Sequence, residues 1–268
     1  MAKQRAFTGR PTVFELLSAQ RQVLFALMLR DIRTRFFGKA WGFLITIAWP
    51  LSHVVILLVI NIAAGRTAPY GDSVALWFAT GIVPFMAFSY MSRFIMFGIV
   101  LNRPLLTFPV LKITDILCAR AIVEVLNAGL VVIILAIIFW FFDVDFMPLD
   151  VVQASWAMLA AMLLGLGVGV INAIVATMAP MWVTGYTLVQ IILWMSAGIF
   201  FVPSAMPADV QALLVWHPVL HAVEWMRSAY YDGYGTALLD KTYLLAWGAG
   251  SLFVGLLLER LLRGRLLM

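Results

Sequence analysis

The sequence predicts an all-α polytopic membrane protein. Six transmembrane helices are expected, with an amphipathic interfacial helix ahead of them and a re-entrant helical hairpin between spans five and six. Three observations carry this. Of 268 residues, 64% are hydrophobic and only 12% are charged, with mean hydropathy +1.01; a water-soluble domain of this length cannot cover that much apolar surface. Six stretches are apolar over roughly the 20 residues a span needs. The basic residues gather at the ends of those stretches, so the net charge of +5 and pI near 9.6 read as topology and not as nucleic-acid binding.

Residues 1–41 form a cytoplasmic N-terminal segment, and 42–268 form the transmembrane domain, with the hairpin at 203–242. Lys3, Arg5, Arg10, Glu15 and Arg21 interrupt the opening residues, so no signal-peptide core is expected. Thr12 to about Met28 reads as the amphipathic helix. Pro11 precedes it, Thr12 and Glu15 make a T-x-x-E capping box, and Val13, Leu16, Leu17, Leu24, Leu27 and Met28 share a face. It is too polar to span and is expected flat on the cytoplasmic leaflet. Arg30, Arg33 and Arg35, with Lys39, then form a basic collar joined directly to the first span.

The spans are expected near Gly42–Ala64, Val74–Leu101, Ile116–Phe142, Val151–Met178, Tyr186–Val202 and Tyr243–Leu258. Six crossings put both termini on one side. Fourteen basic residues then fall inside, from Lys3, Arg5 and Arg10 to Arg265, and three outside (Arg66, Arg227, Lys241), with Arg93 within a span. That asymmetry places both ends in the cytoplasm. In Pro203–Thr242, Ala208–Val215 and Pro218–Tyr231 each begin near a proline and are too short to cross. Such a hairpin dips into the outer leaflet only where protein or a water-filled cavity covers it.

Several residues are candidates for chemistry. His217, His221 and Glu224 lie on one helix face, a spacing able to hold a divalent metal; capping and packing at an interface is the simpler reading and the one favoured, since no H-E-x-x-H is present. Glu224 and Arg227, three apart, are expected to pair. Arg93 reads either as lining a path for an anionic substrate or as snorkelling to the interface. Arg120 and Glu124, beside Asn127, are expected to pair between helices. Gly165, Gly167 and Gly169 allow close helix packing. Trp194, Trp216, Trp225, Tyr230, Tyr231 and Tyr234 read as an interfacial belt or as faces for stacking on sugar rings. Cys118, the single cysteine, excludes an intramolecular disulfide and a cysteine metal cluster. Gly38-Lys39 lacks the spacing of a phosphate-binding loop. The chain is therefore not expected to hydrolyse ATP, and energy must come from a partner or an ion gradient. No repeat or inverted pair of interrupted spans supports a secondary transporter.

Taken together, RDIRTRF (Arg30–Phe36) followed by Gly42-Phe43-Leu44 and Pro50, Gly81-Ile82-Val83-Pro84-Phe85, the register of Asn102, Leu105, Lys112, Asp115, Ala119-Arg120-Ala121 and Glu124, and Pro218, His221, Glu224 and Arg227 resemble the motifs of ABC-2-type capsular polysaccharide export permeases. The family pattern has Asn where His217 stands, an acidic residue where Trp49 stands, a tryptophan where Ile45 stands and a proline where Ile113 stands, and Pro109 is displaced. The resemblance implies a non-enzymatic homodimer in the bacterial inner membrane. Two copies of a separate ATPase would carry ATP and Mg. A periplasmic adaptor and an outer-membrane export protein would be further partners, and a lipid-linked anionic polysaccharide the cargo. It implies ATPase coupling through the Asn102–Asp115 loop, with Asn102, Arg103, Leu105, Lys112 and Asp115, and through the Thr12–Met28 helix. Read from the residues themselves, Arg93 and Arg227 would balance sugar carboxylates, on a substrate path touching Arg93, Trp194, His221, Glu224, Trp225, Arg227, Tyr230 and Tyr231. No metal, cofactor or nucleic acid is expected on this chain. The alternatives are export of another glycan, such as O-antigen or teichoic acid, and a metal-dependent membrane enzyme.

Overall fold

The computed structural model describes residues 12–34, 41–108 and 110–267. Lys3, Arg5, Arg10, Pro11, Arg35, Lys39 and Pro109 lie outside the described residues, as does the side chain of Phe43. Among the described residues there are nine α-helices and no strand: α1 (Val13–Thr34), α2 (Trp41–Ala63), α3 (Val74–Met96), α4 (Ile113–Phe141), α5 (Val151–Met178), α6 (Trp182–Ser196), α7 (Ala208–Leu214), α8 (Pro218–Tyr230) and α9 (Lys241–Leu266). Four of them, α3, α4, α5 and α9, are long and apolar enough to cross a membrane. α2 contributes a shorter apolar stretch, Ile47–Ala63.

Local chemistry sets most boundaries. The Thr12–Glu15 box forms: the Glu15 N–H donates to Thr12 Oγ1 at 3.3 Å and the Thr12 N–H to Glu15 Oε2 at 2.9 Å. Ser73, Asp150 and Asp240 accept from the third residue onward at 3.2, 2.9 and 2.9 Å, capping α3, α5 and α9. At α4 the Asp115 carboxylate accepts from the Lys112 N–H at 3.0 Å.

Boundaries differ from the sequence reading in α1, α3 and α6, and α9 runs on to Leu266, past the expected Leu258. α1 continues through Arg30 and Asp31 because both find partners in the bundle. α3 stops at Met96 and is followed by a 3-10 helix, Val100–Thr107, so Arg93 stands exposed in the last helical turn and not deep in a span. α6 starts earlier and ends at Ser196, its final stretch replaced by irregular backbone at 197–202 in which Gly198 has φ +78°.

The core sits around α5, which packs α3 on one side and α9 on the other. Glycines make this possible. A Cβ on Gly165 would sit 2.6 Å from the Phe88 carbonyl oxygen of α3, and one on Gly167 would sit 2.1 Å from Ser251 Oγ of α9. Trp77, Phe85, Leu164 and most of α8 fill one end of the bundle. Ile95, Ile99, Ile113 and Leu266 fill the other. α1 lies on α4 at that second end, with Leu27 against Ile116 and Ala119. Of the face expected to meet lipid, Leu24, Leu27 and Met28 turn to the protein, while Val13, Leu16 and Leu17 are exposed.

Candidate functional site

At the α8 end the site is built around a buried cation. α8 begins with Pro218 at its first position, and His217 caps it, its Nδ1 accepting from the Leu220 N–H at 3.1 Å. One and a half turns into α8, Glu224 projects inward, and a turn later Arg227 does the same; both are 0% exposed. Arg227 Nη1 donates to the carbonyls of Gly198 at 2.6 Å and Phe201 at 3.3 Å, and Nη2 donates to Ile199 at 2.9 Å. Its guanidinium lies 3.7 Å from the centroid of the Trp77 ring. Glu224 Oε1 is 3.9 Å away and accepts from the Tyr234 hydroxyl at 2.6 Å. Burial raises the Glu224 carboxyl above its ordinary pKa, while the Tyr234 hydrogen bond and the Arg227 charge pull it back down. Tyr70, Tyr231 and Tyr234 surround Trp77 with ring centroids 5.7–6.2 Å from it.

This arrangement explains why α6 can end early. Irregular backbone in an apolar setting needs its carbonyls satisfied from within the protein, and the guanidinium fork supplies three bonds to the segment that replaces helix. Gly81 lets α3 approach: a Cβ there would lie 3.0 Å from Arg227 Nη2 and 3.3 Å from the Ile199 Cα.

The expected pairing of Glu224 with Arg227 is therefore present. His221 is bonded through both ring nitrogens to backbone, Nε2 to the Val215 carbonyl at 2.9 Å and Nδ1 to the Asp240 N–H at 3.0 Å. That requires Nε2–H to donate and Nδ1 to accept, and it commits the lone pair a metal would need. Trp225 donates to Gln153 Oε1 at 2.8 Å, and Lys241 donates to the same oxygen at 2.8 Å. Tyr230 is half-buried against Phe146, and Tyr231 is buried. Trp194, half-exposed on α6, packs on Phe85 and Phe200. Arg93 lies on α3 near the opposite end.

That opposite end brings the expected coupling residues together. Asn102 is buried in the 3-10 helix, its Nδ2 donating to the Gly98 carbonyl at 2.8 Å and its Oδ1 accepting from Arg30 at 2.5 Å. Asp115 accepts from Gln20 of α1 at 2.7 Å. Leu105 packs against α1, while Arg103 and Lys112 are exposed beside them. Arg120 pairs with Asp31 at 3.1 Å and donates to the Phe94 carbonyl at 2.7 Å. Of the collar, Arg30 is thus bonded into the bundle and Arg33 is exposed.

Sequence reasoning missed Trp77, Tyr70, Asp31 and Gln153. Asp31 carried a signal, since it is an acid inside a run of arginines; the other three read as ordinary span or loop residues.

No protein-family model matches the chain. It is 31% identical over 244 residues to the polysialic acid transport protein KpsM of Escherichia coli, covering 90% of this chain and 93% of that protein. It is 26% identical over 252 residues to the capsule polysaccharide export inner-membrane protein CtrC of Neisseria meningitidis serogroup B, covering 92% and 93%. It is also 26% identical over 257 residues to BexB of Haemophilus influenzae, similarly described, covering 94% and 96%. Similarity at this level, running nearly end to end, shows that the chain belongs to the family of capsular polysaccharide export inner-membrane permeases.

Proposed function

We propose that the chain is the membrane subunit of an ATP-driven exporter that moves a lipid-linked acidic capsular polysaccharide across the inner membrane. A separate ATPase, in two copies, energises a homodimer of this chain. A periplasmic adaptor and an outer-membrane export protein take the polymer onward. The carrying observation is the family membership, which spans the chain from α1 to α9. Both termini are cytoplasmic in this reading, and six segments cross: α2, α3, α4, α5, α6 with its irregular extension, and α9.

The two ends of the bundle divide the work. Asn102, Arg103, Leu105, Lys112 and Asp115, braced by α1, meet the ATPase. The α7–α8 hairpin shapes the exit as a re-entrant element. Arg93 and the half-exposed Trp194 contact polymer directly, the first balancing sugar carboxylates and the second offering a ring face. His221, Glu224, Trp225, Arg227, Tyr230 and Tyr231 act on the path by holding the shape of its rim.

The test uses the chain purified with its ATPase in lipid, measuring ATP hydrolysis with and without the acidic capsular polymer extracted from the source cells with its lipid end intact. Stimulation that disappears in Lys112→Ala and Asp115→Ala variants is the expected result. A complex indifferent to that polymer overturns the substrate. A chain that recruits no ATPase overturns the exporter.

A further inference from the structure

We infer that Asp31 and Arg120 are positioning residues that transmit displacement of the α1–loop platform to α3, and so couple ATP hydrolysis to polymer movement. The inference rests on the exporter reading above. Its observations are the bonds that cross between elements. Among the described residues α1 is tied at three points along its length: Gln20 to Asp115 at 2.7 Å, Arg30 to Asn102 at 2.5 Å, and Asp31 to Arg120 at 3.1 Å. The partners are 95 and 72 residues away for the first two, so these bonds hold separate elements together and not one helix.

Two of the three ties pass onward. Arg120 Nη1 donates to the Phe94 carbonyl at 2.7 Å, and Asn102 Nδ2 donates to the Gly98 carbonyl at 2.8 Å. Both acceptors lie where α3 ends and its carbonyls lack helical partners. Arg120 and Asp31 side chains are only 8% and 9% exposed, so the pair is shielded from water and salt and keeps its geometry better than a surface pair does.

α3 is an efficient element to grip there. Its 23 residues, with Pro84 inside the helix, extend about 34 Å. Its far end carries Trp77, whose ring lies against Arg227, and Gly81, whose missing side chain leaves room for it; Arg227 in turn holds the irregular backbone at 198–201. A movement of the platform delivered to Phe94 and Gly98 therefore reaches the rim of the proposed exit through one helix. What the Asp31–Arg120 pair adds to an α1 that meets the ATPase is a route from it to the end of α3.

The experiment compares wild type with Asp31→Asn, Arg120→Gln, the double variant and Asp31→Glu. Each is reconstituted with the ATPase, and polymer moved per ATP hydrolysed is measured with the source-cell polymer described above. Complex stoichiometry and thermal unfolding are recorded alongside. The expected result is a fall of about 5-fold or more in polymer per ATP for each single variant, with assembly intact. The double variant should be no worse than either single, and Asp31→Glu should restore most of the ratio. An unchanged ratio, additive losses in the double variant, or loss of assembly in every variant overturns the inference while leaving the exporter reading standing. A wild-type chain that recruits no ATPase shows instead that the exporter reading has failed, and the inference with it.

Discussion

Arg227 shows how much one side chain organises here. It is fully buried, yet its charge meets a carboxylate, an indole face and three carbonyl oxygens. Arg227→Met removes all of these and leaves Glu224 buried without its cation. Breaking a buried pair from one side costs about 3–5 kcal/mol, so the variant should melt well below wild type in detergent and export little. Arg227→Lys keeps the charge, but a single ammonium cannot serve three separated carbonyls while lying flat on Trp77; it should fold and export poorly. Wild-type export by the lysine variant would show that the fork geometry is irrelevant. His217 gives a pH prediction. Burial holds its imidazole below the ordinary pKa, and its cap needs an unprotonated Nδ1. The stability it contributes is complete above the unfolded pKa of about 6.5 and is lost as pH falls below it. His217→Asn keeps a strong capping oxygen without a titrating group. Unfolding temperature should therefore drop less between pH 7 and pH 5 in this variant than in wild type, and an equal drop would remove His217 as the cause.

At the scale of elements, close packing of α5 against α9 sets the next prediction. A Cβ on Gly167 would stand 2.1 Å from Ser251 Oγ and 2.6 Å from the Leu252 backbone nitrogen, so Gly167→Ala must force the helices apart. Overpacking of this kind costs about 1–3 kcal/mol, read as a lower unfolding temperature. Gly250→Ala, on the same helix as Ser251 but with nothing within 4 Å of its Cβ position, should be neutral or slightly stabilising through helix propensity. If the two variants behave alike, close approach is not what Gly167 provides. This interface was readable in the sequence because LGLGVG is local, as were the starts of α1, α7 and α8, each signalled by a capping or proline residue. The end of α6 was not readable. It is fixed by Arg227, which lies 29 residues beyond Gly198 and 28 beyond Ile199, and the apolar run continues past the break without a change of composition. The lipid-facing expectation for α1 failed in part for the same reason. Leu27 is equally suited to lipid and to Ile116, and only the polar ties to Asn102, Asp115 and Arg120 choose between them.

For the whole molecule, the proposed six crossings set a length requirement on α6, which has 15 residues. At 1.5 Å per residue it extends about 22 Å, short of a hydrocarbon core of about 30 Å. The irregular residues 197–202, with their carbonyls held by Arg227, can make up the difference without exposing unsatisfied backbone to lipid. The neighbouring contacts agree on direction. The start of α6 packs near the ends of α3 and α5 through Met96, Ala176 and Tyr186, whereas its far side meets Phe85 and Phe200 toward the α8 end. Cysteine labelling in intact cells tests this directly. Cys118 is exposed and is first changed to serine; single cysteines are then placed at Met181, which is 87% exposed, and at Asp209 and Asp232. If α6 and its extension cross together, Asp209→Cys and Asp232→Cys react with an impermeant maleimide from outside, while Met181→Cys reacts only after permeabilisation. Reaction of Met181→Cys and Asp209→Cys from the same side would mean that α6 turns back within the membrane. The number of crossings would then be odd, and the two termini would lie on opposite faces, separating the α1 platform from the end of α9 that packs beside it through Leu266, Ile99 and Ile113. Because those residues share one cluster, the contacts favour the six-crossing outcome, and the labelling pattern at Met181 decides it.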